Sequence, residues 1–74
     1  MEMRKYDYSK LLGRMREKGY TQETLAIKIG ISPASMNIKL CNKSDFKQSE
    51  IKTICVILEI PFDEIPLYFF CDLT

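Results

Sequence analysis

Histidine is absent from this 74-residue sequence, and glycine, proline and cysteine occur only three times each. Catalysis needs convergent groups with tuned pKa values, and the chain contains no histidine, no serine-centred elbow and no phosphate-cradling glycine loop. The three cysteines are odd in number and lack the pair spacing of metal sites, so neither a disulfide framework nor a metal centre is expected. We therefore predict that the protein is not an enzyme and has no catalytic residues, metal, cofactor or small-molecule substrate.

Long apolar runs are also absent. Residues 1–10 lack the apolar core of a signal sequence, and no run approaches the roughly 18 residues of a membrane span. We expect a cytoplasmic protein without membrane association, in which the cysteines stay reduced. Cys55 is then a small core residue, and Cys41 and Cys71 are accessible thiols. The length predicts a single domain, 1–74, whose residues 1–5 form a loose arm.

The net charge of +1 conceals an asymmetry along the chain. Residues 1–47 contain ten Lys and Arg against five Asp and Glu, a balance of +5, whereas residues 48–74 contain one Lys against five acids, a balance of −4. A basic half suits contact with phosphates, because such contacts supply most non-specific affinity for nucleic acid. The alternative is that these charges only solvate the surface.

Residues 21–42 are predicted to form two short helices joined by a glycine-centred turn. Thr21 can cap the first helix, because its hydroxyl can accept a hydrogen bond from an unpaired backbone N–H. Gly30 suits the left-handed conformation that ends a helix. Ser32 can cap the second helix, and Pro33 fits its first position. This arrangement predicts a helix-turn-helix.

At this point the chain resembles the Cro and lambda-repressor-like family, the phage and bacterial regulators also called xenobiotic-response-element-like. The matching residues are Gln22, Leu25, Ala26, Ile29, Gly30, Ile31, Ser32 and Met36. The resemblance implies a compact all-α domain of four to five helices, in which the helix after the turn enters the major groove. The chain departs from the family at Lys39, where an aliphatic residue is usual, and at Ile38, where a polar residue is common.

The resemblance makes ten residues candidates for DNA contact: Gln22, Ser32, Pro33, Ala34, Ser35, Asn37, Ile38, Lys39, Lys43 and Ser44. Asn37 can pair with adenine, Ala34 or Ile38 can touch a thymine methyl, and Lys39 can reach guanine or phosphate. Lys43 and Ser44 lie in the loop that follows the phosphate backbone in the resembled family. The alternatives are structural, with Ser32 as a helix cap and the lysines as solvated side chains.

Helices are also predicted on both sides of this motif. The first ends near Lys18, and the fourth runs from about residue 48 to Leu58, where apolar residues spaced by three and four form a core face. Further apolar residues on the fourth helix, Val56 among them, imply either extra burial or a partner. Pro61 ends this helix, and residues 62–65 are predicted to form a short fifth turn that is limited by Pro66.

The C-terminal tail, residues 67–74, begins with the apolar run LYFFC, whose β propensity is high. It can pair with a second copy as a β-strand, pack on the fourth helix, or do both, and the remaining alternative is that it only closes its own core. We expect pairing, and therefore a homodimer formed through the fourth helix and the tail.

The primary hypothesis is a sequence-specific, Cro-like transcriptional regulator that binds a palindromic double-stranded DNA operator as a dimer. The alternative is a protein-interaction module, such as an antitoxin-like or anti-repressor partner, that uses the helix-turn-helix fold with weak or no DNA binding. The apolar tail, the acidic second half and the lack of arginine in the recognition helix favour the alternative. The basic first half favours the primary hypothesis.

Overall fold

The computed structural model describes residues 6–72, which form five α-helices and one 3₁₀ turn. The elements are α1 (Ser9–Glu17), α2 (Gln22–Ile29), α3 (Pro33–Leu40), α4 (Gln48–Leu58), the 3₁₀ turn (Phe62–Glu64) and α5 (Ile65–Phe69). The predicted all-α domain is confirmed. No helix in this part of the chain has the length and apolar character to cross a bilayer. The predicted arm, residues 1–5, and the last two residues of the tail lie outside the described residues.

The helix-turn-helix forms through the caps that the sequence predicts. The Thr21 hydroxyl accepts the backbone N–H of Thr24 at 3.1 Å, and the Thr24 hydroxyl accepts the N–H of Thr21 at 2.8 Å. Gly30 ends α2 in the left-handed conformation, at φ 85°. The Ser32 hydroxyl then caps α3 by accepting the Ser35 N–H at 3.1 Å. Each cap satisfies a backbone group that the helix leaves unpaired.

One core joins all five helices. Its buried members are Tyr8, Leu11, Met15, Leu25, Ala26, Met36, Ile54, Cys55, Leu58, Ile60 and Phe69. They recur at helical spacing in α1 and α4, as the sequence predicts. The small side chain of Ala26 is fully buried where α2 and α3 meet, and it permits their close approach.

The C-terminal tail differs from its prediction. Residues 65–69 form α5 rather than a β-strand, and Pro66 lies in the first turn of that helix instead of ending the preceding one. The Phe69 side chain is 1% exposed, and its ring meets that of Phe46 edge to face at 5.5 Å. The tail therefore closes its own core, and the β propensity of the apolar run is overridden by this burial. The predicted β-strand over this run is wrong, and a homodimer through the tail stays a prediction.

The two ends of the described segment, residues 6–7 and 71–72, are bonded to each other beside the end of α3. The backbone N–H of Asp7 donates to Cys71 at 2.7 Å, and Tyr6 and Asp72 form an isolated antiparallel bridge. Asn42, in the left-handed conformation at φ 65°, accepts the Tyr6 N–H at 2.8 Å and donates to the Tyr6 carbonyl at 3.0 Å. The Asn42 amide thus forms the two hydrogen bonds with the Tyr6 backbone that a neighbouring β-strand would form.

Asn42→Ala is expected to lower the free energy of unfolding by about 2 kcal/mol, because it removes two part-buried hydrogen bonds and places a Cβ-bearing apolar residue at positive φ. Asn42→Gly is the matched control, since it removes the same amide but accepts the left-handed backbone. Urea unfolding should rank the wild type first, Asn42→Gly second and Asn42→Ala last. Equal stability of the two variants would show that an alanine at this positive φ does not lower the free energy of unfolding relative to glycine.

The three thiols differ in accessibility. Cys55 is buried and burial raises the pKa of its thiol, whereas Cys41 and Cys71 are exposed. Alkylation needs the thiolate and access to it. We expect iodoacetamide at pH 8 to modify Cys41 and Cys71 rapidly and Cys55 only after urea is added, as read by mass spectrometry of the intact chain. Rapid modification of all three thiols without urea would contradict the buried placement of Cys55.

Candidate protein-interaction surface

The outward surface of α3 carries four of the ten residues that the sequence offers for DNA contact, and the others lie in α2, in the flanking loops or on the inner side of α3. Eight of the ten predicted contact residues are exposed, while Ser35 is half-buried and Lys39 is buried: the exposed ones are Gln22, Ser32, Pro33, Ala34, Asn37, Ile38, Lys43 and Ser44. Ser32 and Ser35 bond to each other through their hydroxyls at 3.0 Å, besides forming the cap of α3. The structural role that was the alternative for Ser32 is therefore present.

The predicted DNA contact by Lys39 is the prediction that the structure corrects most directly. Lys39 is the only charged residue of α3, and it is 9% exposed. Its ammonium donates to the Asp45 carbonyl at 3.2 Å and lies 3.5 Å from a Glu50 carboxylate oxygen. The side chain lies three residues after buried Met36, on the face of α3 that packs inward. Lys39 cannot reach a groove from this position without breaking both contacts.

Glu50 explains why a lysine is tolerated there. The carboxylate oxygen that faces Lys39 also accepts the Lys47 backbone N–H at 2.8 Å, at the start of α4. The pair therefore joins the end of α3 to the first turn of α4 across the intervening loop. As a consequence the outward surface of α3 is neutral, formed by Pro33, Ala34, Asn37 and Ile38. A major-groove helix without a cation lacks the strongest contacts to phosphate and guanine.

A second surface is more apolar. Val56 on α4 is 65% exposed and Phe62 in the 3₁₀ turn is 60% exposed, compared with 43% for Ile38. Val56 and Phe62 line one shallow groove that is wide open to solvent, and Phe62 lines a second open groove together with Ile51 and Ile65. We call the surface formed by these four residues the Val56–Phe62 face. Val56 and Phe62 are exposed, whereas Ile51 and Ile65 are half-buried against the core. Adjacent exposed apolar side chains of this kind mark interaction sites.

Charged residues border this face. Lys52 lines the second groove, Glu59 lines the first, and exposed Asp63 follows Phe62 in the chain. An apolar centre with a polar rim is the usual composition of a protein–protein interface. Phe62 supplies the kind of large aromatic side chain that often dominates binding energy. The face therefore has the composition of a protein–protein interface, with Phe62 lining both of its grooves.

Two features of this face escaped the sequence interpretation. Phe62 was assigned only to a short turn, although an aromatic residue directly after the helix-ending Pro61 is a signal that it leaves the packed helix face. The sequence assigns no role to Arg14, yet its guanidinium donates to the carbonyls of Leu58 at 2.9 Å and Glu59 at 3.0 Å. Those partners lie more than forty residues away, and nothing in the spacing of α1 points to them.

The comparisons with known proteins point to regulation of repression. The profile of a family described as "Protein of unknown function (DUF739)" matches residues 4–72. The solution structure of the modulator of repression (MOR) of the temperate bacteriophage TP901-1 from Lactococcus lactis is 43% identical, with a TM-score of 0.77 and 88% of each chain covered. No curated protein matches the chain.

These matches correct the primary hypothesis. The structural relative is named as a modulator of repression and not as an operator-binding Cro protein, so the hypothesis of a Cro-like regulator that binds a palindromic operator as a dimer is wrong. The neutral outer surface of α3 agrees with that correction. The alternative, a protein-interaction module on a helix-turn-helix fold, fits the matches better. Because the profile spans residues 4–72 of the 74-residue chain, the chain belongs to the DUF739 family of proteins of unknown function.

Proposed function

We propose that this chain is a phage-type modulator of repression that acts by binding a repressor protein through the Val56–Phe62 face. The observation that carries the proposal is the combination of a modulator of repression as a 43% identical relative with an exposed aromatic residue between two grooves. On this proposal the helix-turn-helix serves as a scaffold. A homodimer formed through α4 would compete for the same face, because Val56 lies on the outer side of that helix.

The size of the face sets the kind of complex. Stable specific interfaces bury about 800 Å² on each partner. The two grooves and the four apolar residues occupy only the centre of such an area, so the repressor must also contact the polar rim that contains Lys52, Glu59 and Asp63. We expect an apolar anchor at the centre and salt-sensitive association at the rim.

The proposal is tested with the purified chain and the phage-type repressor encoded in the same genome. Calorimetric titration should show a defined complex, and the repressor's affinity for a labelled operator duplex should change when the chain is added. The chain alone should not bind the operator at moderate salt. A chain that binds the operator with sequence preference and does not bind the repressor would refute the proposal.

A further inference from the structure

We propose that Arg14 is a positioning residue for the Val56–Phe62 face, because its guanidinium reaches from α1 and holds the turn that carries Phe62. The inference rests on the proposed function, since it concerns how that face is presented to the repressor. Arg14 itself lies on a different helix from every residue of the face. It would therefore influence binding through the backbone of the turn.

The turn after α4 has a demanding conformation. The Ile60 N–H donates to the Cys55 carbonyl at 2.8 Å, and the Glu59 N–H donates to the Val56 carbonyl at 3.3 Å. This pattern ends a helix with one residue in the left-handed region, a position that glycine usually occupies. Here the residue is Glu59, at φ 57°. A side chain disfavours this conformation, so the turn needs support from its surroundings.

Arg14 supplies that support at the two backbone groups that need it. The carbonyls at the end of a helix have no partner within the helix, and they form the negative end of its dipole. The Nε and Nη2 groups of Arg14 donate to two of these carbonyls, those of Leu58 and Glu59. The Nη1 group lies 3.2 Å from the Glu17 carboxylate, one turn later in α1, which orients the planar guanidinium. A lysine ammonium lacks the rigid planar fork that fits two neighbouring carbonyls in one fixed geometry.

The position of Phe62 depends on this turn. Phe62 follows Glu59 by three residues, and between them Ile60 is buried while Pro61 has a fixed φ. The Phe62 ring is largely exposed, so its own contacts contribute little to fixing its direction. An exposed anchor binds tightly only if its backbone is ordered before binding, because ordering during association lowers the affinity. The hydrogen bonds from the Arg14 guanidinium on α1 order the backbone of this turn before the repressor binds.

Amide hydrogen exchange tests the contact without the repressor. Arg14→Gln should raise exchange at the Ile60 N–H about tenfold relative to exchange at the Met36 N–H in α3, as expected when charge-assisted hydrogen bonds to the turn are lost. Arg14→Lys should give an intermediate rise. Arg16→Gln is the matched control, since it removes the same charge from an exposed position on the same helix and should leave the ratio unchanged. An unchanged ratio in Arg14→Gln would overturn the inference.

Repressor titration supplies the second measurement. Arg14→Gln should weaken binding by about five- to tenfold, Arg14→Lys by less, and Arg16→Gln by less than twofold. If Phe62→Ala weakens binding and Arg14→Gln does not, Arg14 is not a positioning residue and the proposed function stands. If Phe62→Ala leaves binding unchanged, the proposed face is wrong, while the exchange ratio at Ile60 still decides whether Arg14 holds the turn.

Discussion

Phe62→Ala is expected to weaken binding of the chain to the repressor by about 100-fold, which corresponds to about 2.7 kcal/mol and lies within the range of a central aromatic anchor. The ring stands between two grooves and is 60% exposed in the free chain, so its truncation removes contact area from the partner and little from the core. The variant should therefore unfold at nearly the same urea concentration as the wild type. Calorimetric titration and urea unfolding on the same samples measure both quantities.

Ile27→Ala is the matched control for this prediction. Ile27 on α2 is 66% exposed, about as much as Phe62, but it lines neither groove of the Val56–Phe62 face. Its truncation should change the affinity by less than threefold if exposure alone does not determine binding. Val56→Ala should show an intermediate loss, since it removes a smaller side chain from the first groove. Equal losses in Phe62→Ala and Ile27→Ala would contradict the assignment of the face.

Local signals in the sequence determined much of the fold. The caps at Thr21 and Ser32, the glycine turn at Gly30 and the apolar spacing of α4 all involve neighbours within four residues, and each was predicted with its observed role. Such features depend on backbone chemistry that any chain shares. They fix the helix-turn-helix, but they do not fix what its outer surface binds.

The features that were mispredicted depend on contacts between residues distant in sequence, or on which face of a helix a residue occupies. Helix α5 forms because Phe69 enters the core beside Phe46, and no local pattern in the tail reports that space. Lys39 faces inward because it follows Met36 by three residues, while its counter-charge, Glu50, lies eleven residues further along the chain. A lysine in a recognition helix predicts a DNA contact when the sequence shows no other partner for its charge. Here the structure identifies that partner as Glu50. The DNA-binding hypothesis rested on the family resemblance and the basic first half of the chain, and neither signal reveals that the Lys39 charge is already paired.

The buried pair predicts an asymmetric response to mutation. Glu50→Gln is expected to lower the free energy of unfolding by about 2 kcal/mol, because it leaves the Lys39 ammonium without a counter-charge where both side chains are only 11% exposed. A glutamine oxygen can still accept the Lys47 N–H, so the start of α4 is preserved. Lys39→Met is expected to cost less, about 1 kcal/mol, because the Glu50 carboxylate that it leaves unpaired still accepts the Lys47 N–H at the positive end of the α4 dipole.

The double variant Lys39→Met/Glu50→Gln separates the charge effect from packing. It should recover most of the stability that Glu50→Gln loses, since the unpaired ammonium is then absent. Lys18→Met, which breaks the exposed pair with Glu59 at 3.2 Å, is the control and should cost less than about 1 kcal/mol. Urea unfolding with an unchanged slope measures all four variants. If Lys39→Met proved as damaging as Glu50→Gln and the double variant recovered nothing, the lysine itself would be needed, through its bond to the Asp45 carbonyl, to hold the loop between α3 and α4.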